Sequence, residues 1–311
     1  MSVSRRVGAA ALAVTALVAG CTSTTSGTSS SPGRDVVSPA QTPTSQPPPG
    51  TPVATTSAPP TPAQERALAR AEMAKIKRRL PADAISVAIR DEKTGSTYSY
   101  GARKGMWTGS VYKLLVLETL LLERQSSGSW FSSGELADIT AMIEQSDNAA
   151  GYRMFLDAGG SAALAGTARR LGMRHTSIGV SDPTFTTLSG RDGLAMLSCL
   201  VKPGLLDQRS RSFVLSLMRS VESDQRWGAG VLADPGTTFE NKNGWLSVDD
   251  TNGPGETDDG LWVVSSVGIV RYHGQPLLVS IFTQHNPDLD TGIRLVERLA
   301  RIAAPAVVPA S

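Results

Sequence analysis

The chain has 311 residues and is nearly charge-balanced, with 30 Lys and Arg against 28 Asp and Glu for a formal net charge of +2. With no long basic run and few aromatics outside apolar context, nucleic acid is excluded as a partner. Three scattered histidines, His175, His273 and His285, lack metal-ligand spacing, and two cysteines, Cys21 and Cys199, do not amount to a disulfide framework. No metal or cofactor is expected, and a monomer is.

Residues Met1 to Cys21 read as a secretory signal. Arg5 and Arg6 precede an apolar run from Val7 to Val18, too short to cross a bilayer of about 30 Å. Its ending, Val18-Ala19-Gly20-Cys21, resembles the lipobox of bacterial lipoproteins, which implies lipidation at Cys21 and an extracytoplasmic location anchored to the cell membrane; a plain cleaved signal is the alternative. Thr22 to Pro62 is Ser, Thr and Pro with hardly any large apolar residue. It buries too little surface to offset chain entropy and is expected to be a disordered, extended linker. Residues 63 to 311 are enough for one sizeable core or two interleaved subdomains.

Within that part, Ala63 to Leu80 is an amphipathic helix by the spacing of Leu68, Ala71, Met73, Ile76 and Leu80. Ile85–Arg90 and Ser96–Tyr100 are short strands about an Asp91-to-Gly95 turn, and several helices run from Ser110 to about Val221. Leu261–Tyr272 and Pro276–Thr283 are longer strands joined by His273-Gly274-Gln275, and Thr291–Ala303 is a closing helix ended by Pro305. The order implies a sheet made from both chain ends with a helical region inserted between. Cys199, in an apolar segment, is expected to be a buried thiol.

One stretch is chemically odd. In Thr108-Gly109-Ser110-Val111-Tyr112-Lys113-Leu114-Leu115, a hydroxyl and an ammonium stand three apart, on one face, at the mouth of a helix that is apolar almost all round. Burial lowers a lysine pKa, and a partly neutral amine can take the proton of a serine. Alternatively Ser110 caps the helix and Lys113 snorkels to solvent. Glu144-Gln145-Ser146-Asp147-Asn148 follows a second amphipathic helix and reads by itself as an N-cap; Glu240-Asn241-Lys242-Asn243-Gly244-Trp245 reads by itself as an Asn-Gly turn in a polar strand.

Together and in this order, the three segments resemble the S-x-x-K, S-D-N and K-T-G set of the class A β-lactamase and penicillin-binding protein superfamily, over about Leu80 to Ala303. The resemblance implies an α+β, β-lactamase/transpeptidase-like fold: an antiparallel sheet from both chain ends flanked by helices, with an all-helical subdomain. It also implies an exported serine hydrolase with Ser110 as the acylated nucleophile, Lys113 as its base and Ser146 passing a proton to the departing nitrogen. Asn148 would bind the substrate amide, Lys242 would add charge for Ser146 and a substrate carboxylate, and the amides of Ser110 and Trp245 would form the oxyanion hole.

Three departures qualify this. Asn243 replaces the hydroxyl that usually meets the substrate carboxylate, although its NH₂ can still donate. No Glu or Asn occurs between His175 and Leu200, where the family carries its deacylating glutamate; Asp182, before Pro183, is the one plausible stand-in, and otherwise starts a Pro turn. The stretch from Lys113 to Ser146 is short, so the helical subdomain is expected to be trimmed and the cleft open, with Trp245 and Trp107 partly filling it or lying in the core. The expected activity is acylation by β-lactams or peptidoglycan-derived amides with slow hydrolysis. A D,D-peptidase acting on stem peptides and a non-catalytic envelope lipoprotein that uses the fold as a binding module are the alternatives.

Overall fold

The computed structural model describes residues 59–180, 182–247 and 260–308. The expected signal, the lipidation site Cys21 and nearly all of the linker lie outside the described residues.

The first helix, α1 (Pro62–Lys77), starts where the composition changes. Thr61 accepts from the Gln64 amide while the Gln64 side chain accepts from the Thr61 amide, and Pro62 occupies the first helical position. Two strands follow, β1 (Ile85–Asp91) and β2 (Thr97–Gly101), around a turn in which Asp91 accepts from the Lys93 amide and the Thr94 hydroxyl. These N-terminal strands join three C-terminal ones, β5 (Glu240–Ser247), β6 (Trp262–Tyr272) and β7 (Gln275–Asn286), in one antiparallel sheet ordered β2-β1-β7-β6-β5. The seam between the two chain ends is β1 on β7, running from Ile85 opposite Thr283 to Asp91 opposite Leu277. The fold is therefore α+β, with the expected sheet of both ends.

The central strands are apolar on both faces because both are covered. Val87, Ile89, Val279 and Ile281 point into one core with Met73 of α1 and Val296 and Leu299 of α8 (Leu289–Ala303); Ala88, Leu278 and Phe282 point into the other. That second core lies under α2 (Tyr112–Ser127), α6 (Gly190–Val201) and a helical layer of α3 (Ser133–Glu144), α4 (Asn148–Asp157), α5 (Gly160–Leu171) and α7 (Gln208–Arg219). Every residue of α2 from Tyr112 to Leu122 is buried, as its sequence requires. Cys199 of α6 is a half-buried free thiol that donates to Glu118 Oε1 of α2.

The two-residue strands β3 (Met106–Trp107) and β4 (Thr187–Leu188) pair with each other and are too short to show a period in the sequence. Their ladder ties the segment before Ser110 to the loop that carries Asp182. Among the described residues, no helix is long and apolar enough to cross a membrane.

Candidate active site

Ser110 lies in a 3-10 turn (Gly109–Val111) that leads into α2, and this turn is pressed against β5. The approach is so close that neither chain tolerates a side chain there. A Cβ on Gly109 would stand 2.6 Å from the Trp245 amide nitrogen, and one on Gly244 would stand 2.7 Å from the Ser110 amide nitrogen. Gly109 also has φ +50°, a region glycine enters at little cost. Two glycines thus allow the turn of Ser110 and the strand segment of Trp245 to pack backbone against backbone.

Lys113, one turn on, is fully buried and uses all three of its donors. Nζ reaches Ser110 Oγ at 3.0 Å, the Ser146 carbonyl at 2.6 Å and Asn148 Oδ1 at 2.8 Å. Burial lowers its pKa to about 8, opposed in part by the nearby Asp147 carboxylate. Gly151 makes room for this side chain: a Cβ there would meet Lys113 Cε at 2.7 Å. Asn148 and Gly151, three apart on α4, present the same helical face to the lysine.

Ser146 joins α3 to α4 with φ +60°, a left-handed conformation uncommon for a serine and costing about 1 kcal/mol or more. The N-cap role falls on its neighbour, since Asp147 Oδ1 accepts from the Ala150 amide at 2.7 Å. Ser146 is left to point its carbonyl at Lys113 and its hydroxyl at Lys242, whose Nζ donates to Oγ at 2.8 Å. Lys242 is also fully buried, and burial first and the Lys113 charge second hold its pKa well below the usual lysine range. Lys113 thus meets the Ser110 hydroxyl and the Ser146 carbonyl, and Lys242 meets the Ser146 hydroxyl.

Asn243 is placed otherwise than the sequence suggested. Alternation along β5 sends it to the face opposite Lys242, together with Asn241. Its NH₂ donates to the carbonyls of Gln225 at 2.7 Å and Trp227 at 3.0 Å, with the side chain fully buried. Both amide hydrogens are taken; what Asn243 does is fasten the loop carrying Trp227 to the strand. Trp227 in turn lies against Trp245, their rings 6.1 Å apart, and Trp107 meets Phe185 edge-on at 6.3 Å, so Trp107 and Trp245 are half-buried members of two aromatic pairs. Gln225, Trp227 and Gly151 carry no motif; Gly151 alone left a trace, as a small residue three after Asn148 on an otherwise well-formed helix.

Asp182 starts the turn Pro183–Phe185. Its Oδ1 accepts from the Thr184 amide at 2.8 Å and the Thr184 hydroxyl at 2.7 Å. It nonetheless lies close enough to raise the pKa of Tyr112, after burial. Asp192 belongs to the capping box of α6 with Ser189 and also accepts from the Arg174 and His175 amides. Among the described residues, no group of three or more His, Cys, Asp or Glu stands together as a metal-ligand set.

A sequence model of the Beta-lactamase enzyme family matches residues 120–307, a span that takes in Ser146, Asn148 and Lys242 and begins after Ser110 and Lys113. The Mycobacterium tuberculosis protein named "Putative lipoprotein LppW" is 28% identical over 172 residues, 52% of this chain and 54% of its own length. The chain thus spans about half the length of the curated relatives it matches. Among solved structures, PBP-A superposes with a TM-score of 0.64 at 18% identity, covering 76% of this chain and 95% of that one, and a variant of it is described as an acyl-enzyme complex with penicillin G. A β-lactamase from Chitinophaga pinensis superposes with a TM-score of 0.62 at 17% identity, covering 75% and 97%. At these identities the likeness is one of fold.

Proposed function

Because the chain belongs to the β-lactamase enzyme family, we propose that it is a serine hydrolase acylated at Ser110 by β-lactams or by related peptidoglycan-derived amides. The observation that carries this reading is the contact of a fully buried, pKa-lowered Lys113 with the Ser110 hydroxyl at 3.0 Å.

The steps follow from the geometry. Ser110 Oγ attacks the carbonyl carbon while neutral Lys113 takes its proton, and the oxygen that becomes negative is met by the Ser110 and Trp245 amides, each worth about 3 kcal/mol in such a role. The carbon–nitrogen bond then breaks, and the leaving nitrogen receives the Ser146 hydroxyl proton, which Lys242, bonded to Ser146 Oγ, replaces while Lys113 keeps the proton taken from Ser110. The product is an ester on Ser110 and a freed amine; in a β-lactam both remain on one molecule. Asn148, with Oδ1 on Lys113, keeps its NH₂ for the carbonyl of the substrate side chain, and Lys242 places positive charge for a carboxylate.

Hydrolysis of that ester needs a water and a base. The loop between His175 and Leu200 contains no glutamate, and the oxygen of Asp182 nearest its turn is already bonded twice. Slow deacylation is the consequence. The same observation favours a D,D-peptidase as second reading, since that chemistry uses the same acylation residues and differs in the leaving amine. The signal 1–21, lipidation at Cys21, the linker 22–62 and the extracytoplasmic, membrane-anchored location belong to this proposal, supported by the lipoprotein name of the mycobacterial relative; a Cys21→Ala chain should then leave the membrane fraction.

A fluorescent penicillin tests the reading: the protein should be labelled covalently and Ser110→Ala should not. Absence of label in a folded parent protein would favour the non-catalytic binding module instead.

A further inference from the structure

At the far edge of the sheet from β5, strand β2 borders a cavity of about 420 Å³ between the end of α1 and the start of α6. Four strand spacings of about 4.8 Å put it roughly 19 Å across the sheet from the acylation site. Its walls carry Arg70 and Lys77 from α1, Arg103 after β2, Arg191 from the first turn of α6 and His175 from the preceding loop, with no carboxylate among them. Among the described residues, none of the four Arg and Lys side chains has an acidic partner within 4 Å, in contrast to Arg90, Arg124, Arg153 and Arg219, which all do.

Four like charges around one concavity, with Arg70, Arg103 and Arg191 exposed and Lys77 half-buried, make its potential positive and favour an anion there. The donors suit one. Arg191 is held in place by the Ser99 hydroxyl of β2 at 2.9 Å, which fixes its guanidinium at the cavity wall. Asp192, next to Arg191 in sequence, does not line the cavity; it is buried and accepts from the backbone amides of Arg174 and His175 and from the Ser189 hydroxyl.

We propose that this cavity binds a phosphate-bearing anion, at a site separate from Ser110. Its three lining guanidinium groups match a multiply charged tetrahedral oxyanion better than a single carboxylate. The volume takes a diphosphate or a phosphodiester headgroup and not an extended polymer.

The test is calorimetric titration of the full chain, purified in detergent, with inorganic pyrophosphate, inorganic phosphate, dihexanoylphosphatidylglycerol below its micellar concentration, and sodium sulfate. Pyrophosphate or the lipid should bind below about 1 mM. Arg70→Gln and Arg103→Gln should each weaken that binding about tenfold or more, while labelling of Ser110 by penicillin is unchanged. Arg103 serves as the second variant because it has no hydrogen bond or ion pair among the described residues to lose. Tighter binding of the lipid than of pyrophosphate would assign a membrane headgroup as the source, and the reverse a soluble phosphate. No binding of any phosphate probe, equal binding of sulfate, or unchanged affinity in both variants would overturn the proposal.

Discussion

A Cβ on Gly244 would stand 2.7 Å from the backbone nitrogen of Ser110, so the nucleophile's own amide is positioned by an absent side chain on a strand 134 residues away. The same Cβ would run into the Thr108 carbonyl. Gly244→Ala must therefore push the turn off β5. Acylation by penicillin should fall about a hundredfold or more, as for loss of an oxyanion donor, with a stability loss of about 1–3 kcal/mol from overpacking. Stopped-flow acylation alongside thermal melting checks both; acylation within threefold of the parent would show that the two amides do not act together.

Lys113 sets the pH dependence. Its pKa is lowered to about 8 by burial, and the neutral amine is the form that can take the serine proton. The acylation rate should therefore rise about tenfold per pH unit below pH 8 and level off above it. A rate that falls as pH rises from 6 to 8 would mean that the ammonium, not the amine, is the working form.

The loop carboxylate Asp182 is bonded to the Thr184 amide and hydroxyl. Asp182→Asn keeps the oxygen that caps the turn and removes the charge, so the lifetime of the acyl-enzyme should change by no more than about threefold. A marked lengthening of that lifetime, read from the recovery of labelled protein, would make Asp182 the deacylating base.

Glu118 is buried within α2, and burial holds its pKa well above the carboxylate range; the Cys199 thiol bonds to it, and its other oxygen has no partner. The unfolded chain loses this proton as pH rises through about 4.5 while the folded chain keeps it, so Glu118 lowers stability progressively from pH 5 upward. Glu118→Gln should flatten the decline of melting temperature between pH 5 and pH 8. An unchanged slope would show that Glu118 is ionised in the fold.

The fold was legible because its signals were long and regular. The run Leu277 to Phe282, apolar at nearly every position, marks a strand covered on both faces, and the unbroken apolar circumference of α2 marks a buried helix that nonetheless holds a lysine. The local chemistry was legible where spacing fixes it: Ser110 and Lys113 share a helical face. What was not legible depends on contacts between distant segments. Whether Asn243 faced a substrate or a loop was decided by Gln225 and Trp227, whose carbonyls occupy its amide. That Asp147 and not Ser146 caps α4 was decided by the left-handed backbone at Ser146, which Lys113 and Lys242 hold from opposite sides. The basic cavity at β2 collects Arg70, Arg103, His175 and Arg191 from four separate segments, and no window of sequence contains them together.

The central claim, covalent catalysis at Ser110, is tested most directly by the intact mass of the purified protein after brief and prolonged exposure to a penicillin. The account predicts a gain of one whole penicillin that appears within the brief exposure, persists through the long one, and is absent in Ser110→Ala. An adduct that survives in Ser110→Ala, or no adduct on the folded parent at any time, would contradict it.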